Sequence, residues 1–299
     1  MGMDWDCIVV GAGAAGLSAA LVLGRARRRT LVVDLGGQSN RPAEGIGGLL
    51  GQDGRPPEAF YAAARAEIAR YPTVELRSGT VVAGEPGFAL ELDDGSREQA
   101  PRVLLATGME YRYPALPGIA ERWGRSVFHC PFCHGWEVRD GRLAVLGGDV
   151  RRAVLLRAWS DDVTLLTNGP AEPEARDAPV TVDEREVAGL RGPGDTLTAI
   201  EFADGSELPC DGLLVPVTLH QRSALATQLG AATADPGPMV ADGVEVDGSF
   251  QTSVEGLYAA GDLTGRMQSV ANSIAAGSSA AAMIVHSLVV PVESGVSTG

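Results

Sequence analysis

Short runs of apolar residues recur along the chain, and several of them end in glycine or in an acidic residue. The runs at 6–10, 30–34, 103–106, 143–146 and 163–166 lack the alternation of polar and apolar positions that marks a half-exposed strand. Continuous runs of this length are typical of strands that are buried on both faces of a parallel sheet. The pattern therefore predicts an α/β protein with parallel strands.

Helical periodicity lies between these runs. It predicts helices at 17–25, at 56–70 and at 269–288, the last rich in small residues that allow close packing. The irregular loop at 36–54 is long enough to indicate a functional role. Further predictions are strands at 74–76, 80–82, 88–92 and 213–215, a hairpin at 201–210, a linker at 111–118 and a loose tail at 291–299.

The first apolar run leads into a glycine-rich turn. Gly11, Gly13 and Gly16 have GxGxxG spacing, a helix follows, and the second strand ends in Asp34. This order is the dinucleotide-binding pattern: the first glycine makes the tight turn, the second lets the backbone approach a pyrophosphate, and the third allows helix and strand to pack closely. Asp34 is predicted to accept hydrogen bonds from a ribose.

A second glycine turn, at 147–153, departs from this pattern. Asp149 stands at the second glycine position and Arg152 at the third. A carboxylate at the position of a pyrophosphate opposes binding, and the following strand at 163–166 ends without an acid for a ribose or an arginine cluster for a 2′-phosphate. We therefore expect NADPH to bind this part of the chain poorly or not at all.

The motif Cys130-Pro131-Phe132-Cys133 is followed directly by His134 and preceded by His129. Two thiols at this spacing can form and reopen a disulfide, and a neighbouring histidine can move the proton. Half a zinc site is the alternative interpretation, but no second closely spaced pair completes four ligands. We predict a redox pair, with His134 and His129 as candidate bases, and no metal.

The composition of the chain excludes some classes of binding partner and of reaction mechanism. The chain has 299 residues, enough for two domains, and a net charge of −14 in which every basic residue is arginine. Without lysine a Schiff-base mechanism is excluded, and the acidity argues against nucleic acid and anionic membranes as partners. We found no export signal and no apolar run judged long enough for a bilayer, so we expect a cytoplasmic protein.

Together these motifs resemble the low-molecular-weight thioredoxin reductase family of flavoproteins over nearly the whole chain. The resemblance rests on GAGAAG at 11–16, GGQ at 36–38, LLATG at 104–108, CPFC at 130–133 and YAAGD at 258–262. It implies two Rossmann-like domains of the three-layer FAD/NAD(P) type. The FAD-binding domain would be discontinuous, at 1–113 and 243–299, and the NAD(P)-like domain at 114–242 would carry the CxxC.

The resemblance also implies FAD as the cofactor, a homodimer, and roles for both thiols. Cys133 would face the flavin, and Cys130 would exchange with the substrate. The residues that would hold FAD are Gly11, Gly13, Ala14, Ala15, Gly16, Asp34, Gly37, Gln38, Asn40, Val82, Ala106, Thr107, Gly108, Gly261, Asp262, Gln268, Ser269 and Val270. The last three stand at a helix N-terminus, whose dipole stabilises negative charge.

Two departures from thioredoxin reductases direct the functional prediction. His134 replaces the usual acidic residue, and the second glycine turn is broken. The CPFCHGWE version is similar to dithiol oxidases of the gliotoxin, holomycin and romidepsin pathways. That resemblance implies that a small-molecule dithiol reduces the cysteine pair, that FAD is reduced in turn, and that O2 reoxidises it to give H2O2 and an intramolecular disulfide in the product. Phe132 and Trp136 would form an aromatic wall suited to such a substrate.

Two other functions stay open. A disulfide reductase for thioredoxin, fed by NADPH or another donor, would use the same fold and the same CxxC. A flavin-binding redox sensor without turnover belongs to a different class, although both thiols and the histidine are intact.

Overall fold

The computed structural model describes residues 5–290, and the predicted tail at 291–299 lies outside this range. The chain divides into two compact units. Unit 1 combines the residues up to 39, residues 58–110 and the residues from 219 onward; unit 2 combines residues 40–57 and 111–218. The proposed cofactor domains, divided at 113 and 242, remain a prediction that these compact units do not by themselves test.

Strands and helices alternate through much of the chain. The strands are β1 Cys7–Val10, β2 Thr30–Asp34, β3 Val74–Ser78, β4 Val81–Glu85, β5 Ala89–Leu92, β6 Arg97–Gln99, β7 Val103–Leu105, β8 Met109–Arg112, β9 Val127–Phe128, β10 Leu143–Leu146, β11 Val163–Leu166, β12 Thr181–Asp183, β13 Val187–Arg191, β14 Ala199–Phe202, β15 Glu207–Pro209, β16 Gly212–Leu214, β17 Thr218–Gln221 and β18 Leu257–Ala259. The helices are α1 Ala14–Arg25, α2 Pro57–Ile68, α3 Ile119–Arg122, α4 Pro131–His134, α5 Val150–Leu156, α6 Pro173–Arg176, α7 Leu225–Gln228 and α8 Val270–Val289, with a 3-10 helix at Gly261–Thr264.

The main sheet of unit 1 has five parallel strands in the order β18-β7-β1-β2-β3. Alternate residues of β1 show that both faces are covered: Cys7 and Val9 join a core with α1, α2 and α8, and Ile8 on the opposite face is equally buried. This burial explains why the strand sequences are continuous apolar runs. A three-stranded antiparallel sheet, β4-β5-β6, also belongs to unit 1.

The main sheet of unit 2 repeats this arrangement, with five parallel strands in the order β12-β11-β10-β16-β9. A three-stranded antiparallel sheet, β13-β14-β15, lies in the same unit. The predicted parallel α/β architecture is therefore confirmed in both units.

Some boundaries differ from the predictions for local reasons. Helix α1 begins at Ala14 rather than at residue 17, because Gly13 is its N-cap and the glycine turn leads directly into the helix. The predicted linker at 111–118 begins inside β8 and is followed at once by α3. The CxxC turn does form a short helix with Pro131 in its first turn, as predicted.

Helix α8 meets the length and composition of a membrane span, so the prediction that no apolar run is long enough for a bilayer was wrong on that criterion. A core helix of a globular protein meets the same criterion. Gly277, Ala280 and Ala281 of α8 are buried in the core that includes α1. A Cβ at Gly277 would lie 2.0 Å from the carbonyl oxygen of Ala15, so α1 and α8 approach as closely as glycine allows.

Candidate functional site

The carboxyl ends of the unit 1 strands carry most of the residues predicted to bind a dinucleotide. Gly11 follows β1, Asp34 ends β2, Ala106 follows β7, and Gly261 comes shortly after β18. These four strands are neighbours in one parallel sheet, so their carboxyl ends lie along the same edge. In open α/β sheets that edge is where ligands bind.

The first glycine turn has the shape that a pyrophosphate requires. Gly11 has a φ of +99°, and a Cβ there would lie 2.4 Å from the carbonyl oxygen of Ala106; a Cβ at Gly16 would lie 1.8 Å from the carbonyl oxygen of Gly11. Above Gly13, in contrast, the nearest atom to such a Cβ is Cγ of Gln38 at 3.9 Å. The glycines are thus tightly packed where helix meets strand and open where a phosphate would approach, which fits FAD.

The side chains of Asp34 and Gln38 both form hydrogen bonds with the backbone of Ala12 in this turn. The Asp34 carboxylate accepts the N–H of Ala12 at 2.8 Å and pairs with Arg65 through its other oxygen. The side-chain amide of Gln38 donates to the carbonyl of Ala12 at 3.3 Å. Asp34 is therefore already engaged by two donors at the position predicted to meet a ribose.

The loop that contains Gly37 is anchored by Arg222, a residue that the sequence analysis did not single out. Its guanidinium donates to the carbonyls of Gly37 and Met109, at 2.7 and 3.0 Å, and to the hydroxyl of Ser39 at 3.1 Å. All four residues belong to unit 1. Only the tertiary structure reveals this anchor, because 185 residues separate Arg222 from Gly37.

The segment after β18 adds Asp262 and the N-terminus of α8 to the residues predicted to bind FAD. Ser273 donates its hydroxyl to the Asp262 carboxylate at 3.4 Å, and Ser269 caps the helix by accepting the N–H of Asn272 at 3.1 Å. Gln268 and Val270 flank this cap.

Of the other predicted FAD ligands, Ala14 and Ala15 open α1, and Thr107 and Gly108 follow Ala106, all in unit 1. Val82 lies on β4 of unit 1 with its side chain half exposed. Asn40 belongs to unit 2.

The redox turn is formed entirely by unit 2. Cys130 is the N-cap of α4 and Cys133 lies in its single turn, which brings their Sγ atoms to 2.8 Å, with the Cys133 thiol donating. Gly135 closes the turn through its N–H to the carbonyl of Pro131 at 2.7 Å. A Cβ at Gly135 would clash with that carbonyl and with the Trp159 ring, at 2.6 and 2.8 Å, so the residue must be glycine.

The electrostatic surroundings of Cys130 lower the pKa of its thiol. Donation from the Cys133 thiol lowers the pKa of Cys130 to about 7, and the N–H groups of Cys133 and Phe132 and the charge of Arg152 act in the same direction against the effect of burial. Burial instead raises the pKa of Cys7 and of Cys210 to about 12. Cys130 thus offers a reactive thiolate near neutral pH, whereas Cys7 and Cys210 do not.

The two histidines differ in their surroundings. The His134 ring stacks on Phe128. Burial lowers the pKa of His134, although the carbonyls of Cys130 and Gly124 beside the ring raise it. The ring of His129 lies against the rings of Trp123 and Tyr111. Burial and the positive charges of His134 and Arg152 lower the pKa of His129 to about 4. His134 is therefore the better proton acceptor of the two.

The second glycine turn is filled by its own side chains. Asp149 is the N-cap of α5, and its carboxylate accepts the N–H groups of Arg151 and Arg152 at 3.1 and 3.4 Å. These are the donors that a helix N-terminus would otherwise offer to a phosphate. The predicted obstacle to NADPH therefore has a structural counterpart.

The long loop predicted at 36–54 reaches the redox turn through a glycine that the sequence analysis missed. A Cβ at Gly47 would lie 2.4 Å from the carbonyl oxygen of Cys133, within unit 2. The repeated glycines at 45–48 were the available signal in the sequence.

Comparison with known proteins agrees with this architecture. Residues 5–277 match the family described as pyridine nucleotide-disulphide oxidoreductase. The thioredoxin reductase tcpT of Claviceps purpurea is 33% identical over 298 residues, covering 91% of this chain and 90% of the relative. An oxidoreductase from Agrobacterium tumefaciens superposes with a TM-score of 0.89 at 36% identity, covering 97% of this chain and all of that chain.

A second solved structure, that of HlmI, has a TM-score of 0.86 and is 38% identical, covering 94% of this chain and 92% of that chain. The extent of these matches confirms the predicted resemblance and fold. The chain therefore belongs to the pyridine nucleotide-disulphide oxidoreductase family, as a thioredoxin reductase-like, FAD-binding oxidoreductase.

Proposed function

We propose that the protein is a FAD-dependent dithiol oxidase that closes an intramolecular disulfide in a small-molecule dithiol. The overall reaction converts the dithiol and O2 into the cyclic disulfide and H2O2, so two electrons and two protons are transferred. One observation carries the proposal: the Cys130–Cys133 pair is intact, whereas Asp149 occupies the helix N-terminus that would bind the NADPH pyrophosphate.

The residues proposed to hold FAD are those of the unit 1 sheet edge. The open backbone at Gly13 and the N-terminus of α1 suit the pyrophosphate, and Asp262 and the N-terminus of α8 complete the set. When bound, FAD supplies a two-electron acceptor for the thiol pair that O2 can regenerate. Val82 and Asn40 stay in the proposed set by resemblance alone.

Cys130 is proposed to meet the substrate and Cys133 to face the flavin. In the oxidised pair, a substrate thiolate attacks the Cys130 sulfur, and the Cys133 thiolate leaves. The second substrate thiol then attacks the substrate sulfur of the mixed disulfide, which releases the Cys130 thiolate and the cyclic product. Because burial keeps His134 neutral, its imidazole can accept the proton of an attacking thiol.

The surroundings of the pair favour a small organic substrate. Phe132 lies between the two cysteines of the turn and Trp136 follows the turn, and these residues are 60% and 65% exposed. The edge of Phe132 meets Trp159, and Arg139 stacks on Trp136 at 3.9 Å. Exposed aromatic rings beside a reactive group are suited to an apolar ring system, and this supports a compact organic dithiol.

Oxygen uptake tests the proposal. The aerated holoprotein should consume O2 and form H2O2 when small dithiols are added, without NADPH. Cys133→Ala should abolish this uptake, whereas Cys210→Ser, which changes a buried cysteine outside the pair and keeps a donor for the Gly212 carbonyl, should not. Full uptake by Cys133→Ala would refute the proposed role of the pair.

A thioredoxin reductase-like disulfide reductase is the second candidate, favoured by the name of the Claviceps relative. A coupled assay with thioredoxin and either NADPH or another donor separates the two functions, since the oxidase needs neither. The homodimer that the resemblance implies is part of both candidates and can be tested by sedimentation.

A further inference from the structure

The side chain of Arg152 makes contacts that a glycine at this position of a nucleotide-binding turn could not make. It stands at the third glycine position of the second turn, yet its side chain reaches two strand ends. One nitrogen, Nη2, donates to the carbonyl of His129 at 2.9 Å and to the carbonyl of Val215 at 3.0 Å. These carbonyls follow β9 and β16, which are paired neighbours in the sheet.

The guanidinium is partly desolvated, and the negative charge nearest to it in effect is that of Asp149, which raises the pKa of Arg152 against the effect of burial. Arg152 is half-buried, burial lowers its pKa, and within residues 5–290 it forms no ion pair. Its two side-chain partners are neutral carbonyls. A partly desolvated cation is stabilised by negative charge, and the thiolate of Cys130 is a second anion, besides Asp149, that acts on it when the reaction creates it.

We propose that Arg152 is a positioning residue for the redox pair: it holds the carbonyl of the residue directly before Cys130 and keeps a positive charge close to that cysteine. This deepens the proposed function and rests on it only in taking Cys130 as the thiol that meets the substrate.

The charge of Arg152 affects one reaction step and one redox equilibrium. In the second exchange step the Cys130–substrate disulfide breaks, the substrate disulfide forms, and Cys130 leaves as a thiolate; a better stabilised thiolate leaves faster. Stabilising the reduced form also makes the cysteine pair a stronger oxidant, as expected for a pair that takes electrons from a dithiol. The acidity of Cys130, with a pKa of about 7, agrees with this, and Arg152 is one of its causes.

The test needs neither the substrate nor turnover. The reduced holoprotein is alkylated with iodoacetamide without air over a range of pH, and the Cys130 peptide is quantified by mass spectrometry. Arg152→Gln should raise the midpoint of the pH profile and lower the rate at pH 7 about fivefold, because a pKa rise of about 1 reduces the thiolate fraction at that pH from about one half to about one tenth. In glutathione redox buffers the pair of this variant should also be more readily oxidised to the disulfide.

Two control variants distinguish an effect of the charge at position 152 from a general loss of stability or of positive charge. Arg151→Gln removes the neighbouring charge, whose side chain is 92% exposed, and should leave the midpoint near 7. Arg152→Lys keeps a cation that can donate to both carbonyls and should stay close to wild type. If Arg152→Gln does not fold, Arg152→Met supplies the neutral variant in its place.

A neutral variant that folds, and whose midpoint and glutathione equilibrium equal those of the Arg151→Gln control, would overturn the proposal. Loss of dithiol oxidation with an unchanged alkylation profile would count against it as well. If Arg152→Gln shifts the alkylation profile but the wild-type protein oxidises no dithiol, the role of Arg152 is supported and the proposed function is refuted instead.

Discussion

Replacing Asp149 by glycine should give the protein measurable affinity for NADPH. In the wild type, the Asp149 carboxylate accepts the N–H groups of Arg151 and Arg152, two of the donors at the N-terminus of α5. The substitution removes this carboxylate and restores the second glycine of the turn. A pyrophosphate would then meet free N–H groups rather than a negative charge.

The magnitude follows from the charges involved. Two unit charges about 4 Å apart interact by about 4 kcal/mol at an effective dielectric constant of 20, which is an upper bound for the repulsion that the substitution relieves. An Asp-to-Gly change at an N-cap costs only a few tenths of a kcal/mol in helix stability. Even a third of the electrostatic gain would tighten binding about tenfold.

Calorimetric titration of the holoprotein with NADPH measures this effect directly. Asp161→Gly is the matched control, because it removes an equally charged and fully exposed side chain from the segment that follows α5. We expect tighter binding in Asp149→Gly alone. Equal and weak binding by both variants would show that the carboxylate is not the obstacle, and a tight complex with the wild type would refute the reasoning altogether.

Three further predictions concern stability, cofactor and acidity. Gly277→Ala should force α1 and α8 apart at a cost of about 1–3 kcal/mol, seen as a lower Tm by calorimetry; an unchanged Tm would contradict the close approach. Arg222→Ala should weaken FAD retention by freeing the carbonyl of Gly37, measured as faster loss of bound flavin during dialysis; equal retention would deny the anchor. Cys133→Ala removes the main cause of the low Cys130 pKa, so the alkylation midpoint should rise from about 7 toward the ordinary value near 9, and a midpoint that stays near 7 would show another cause.

The fold was largely predictable from sequence because its determinants are local. Continuous apolar runs identify strands that are buried on both faces, and β2, β10 and β11 have the predicted limits. The first glycine turn was equally predictable, since backbone geometry at Gly11 and Gly16 excludes a side chain.

The site was less predictable where it depends on tertiary contacts. Nothing local connects Arg152 with the carbonyl of Val215, 63 residues away, or Gly47 with the backbone of Cys133. From the sequence, His134 was the first candidate base and His129 the second, but the surroundings that distinguish them were not predictable. Their difference arises from stacking and burial, which exist only in the folded unit 2.

The most direct test of the central claim is the identity of the electron donor that reduces the bound flavin without air. The holoprotein is mixed anaerobically with a small dithiol or with NADPH, and the visible flavin absorbance is followed. The account predicts that the dithiol bleaches the flavin, that NADPH does not, and that admitting air restores the colour with formation of H2O2. Rapid bleaching by NADPH, or none by any dithiol, would contradict it.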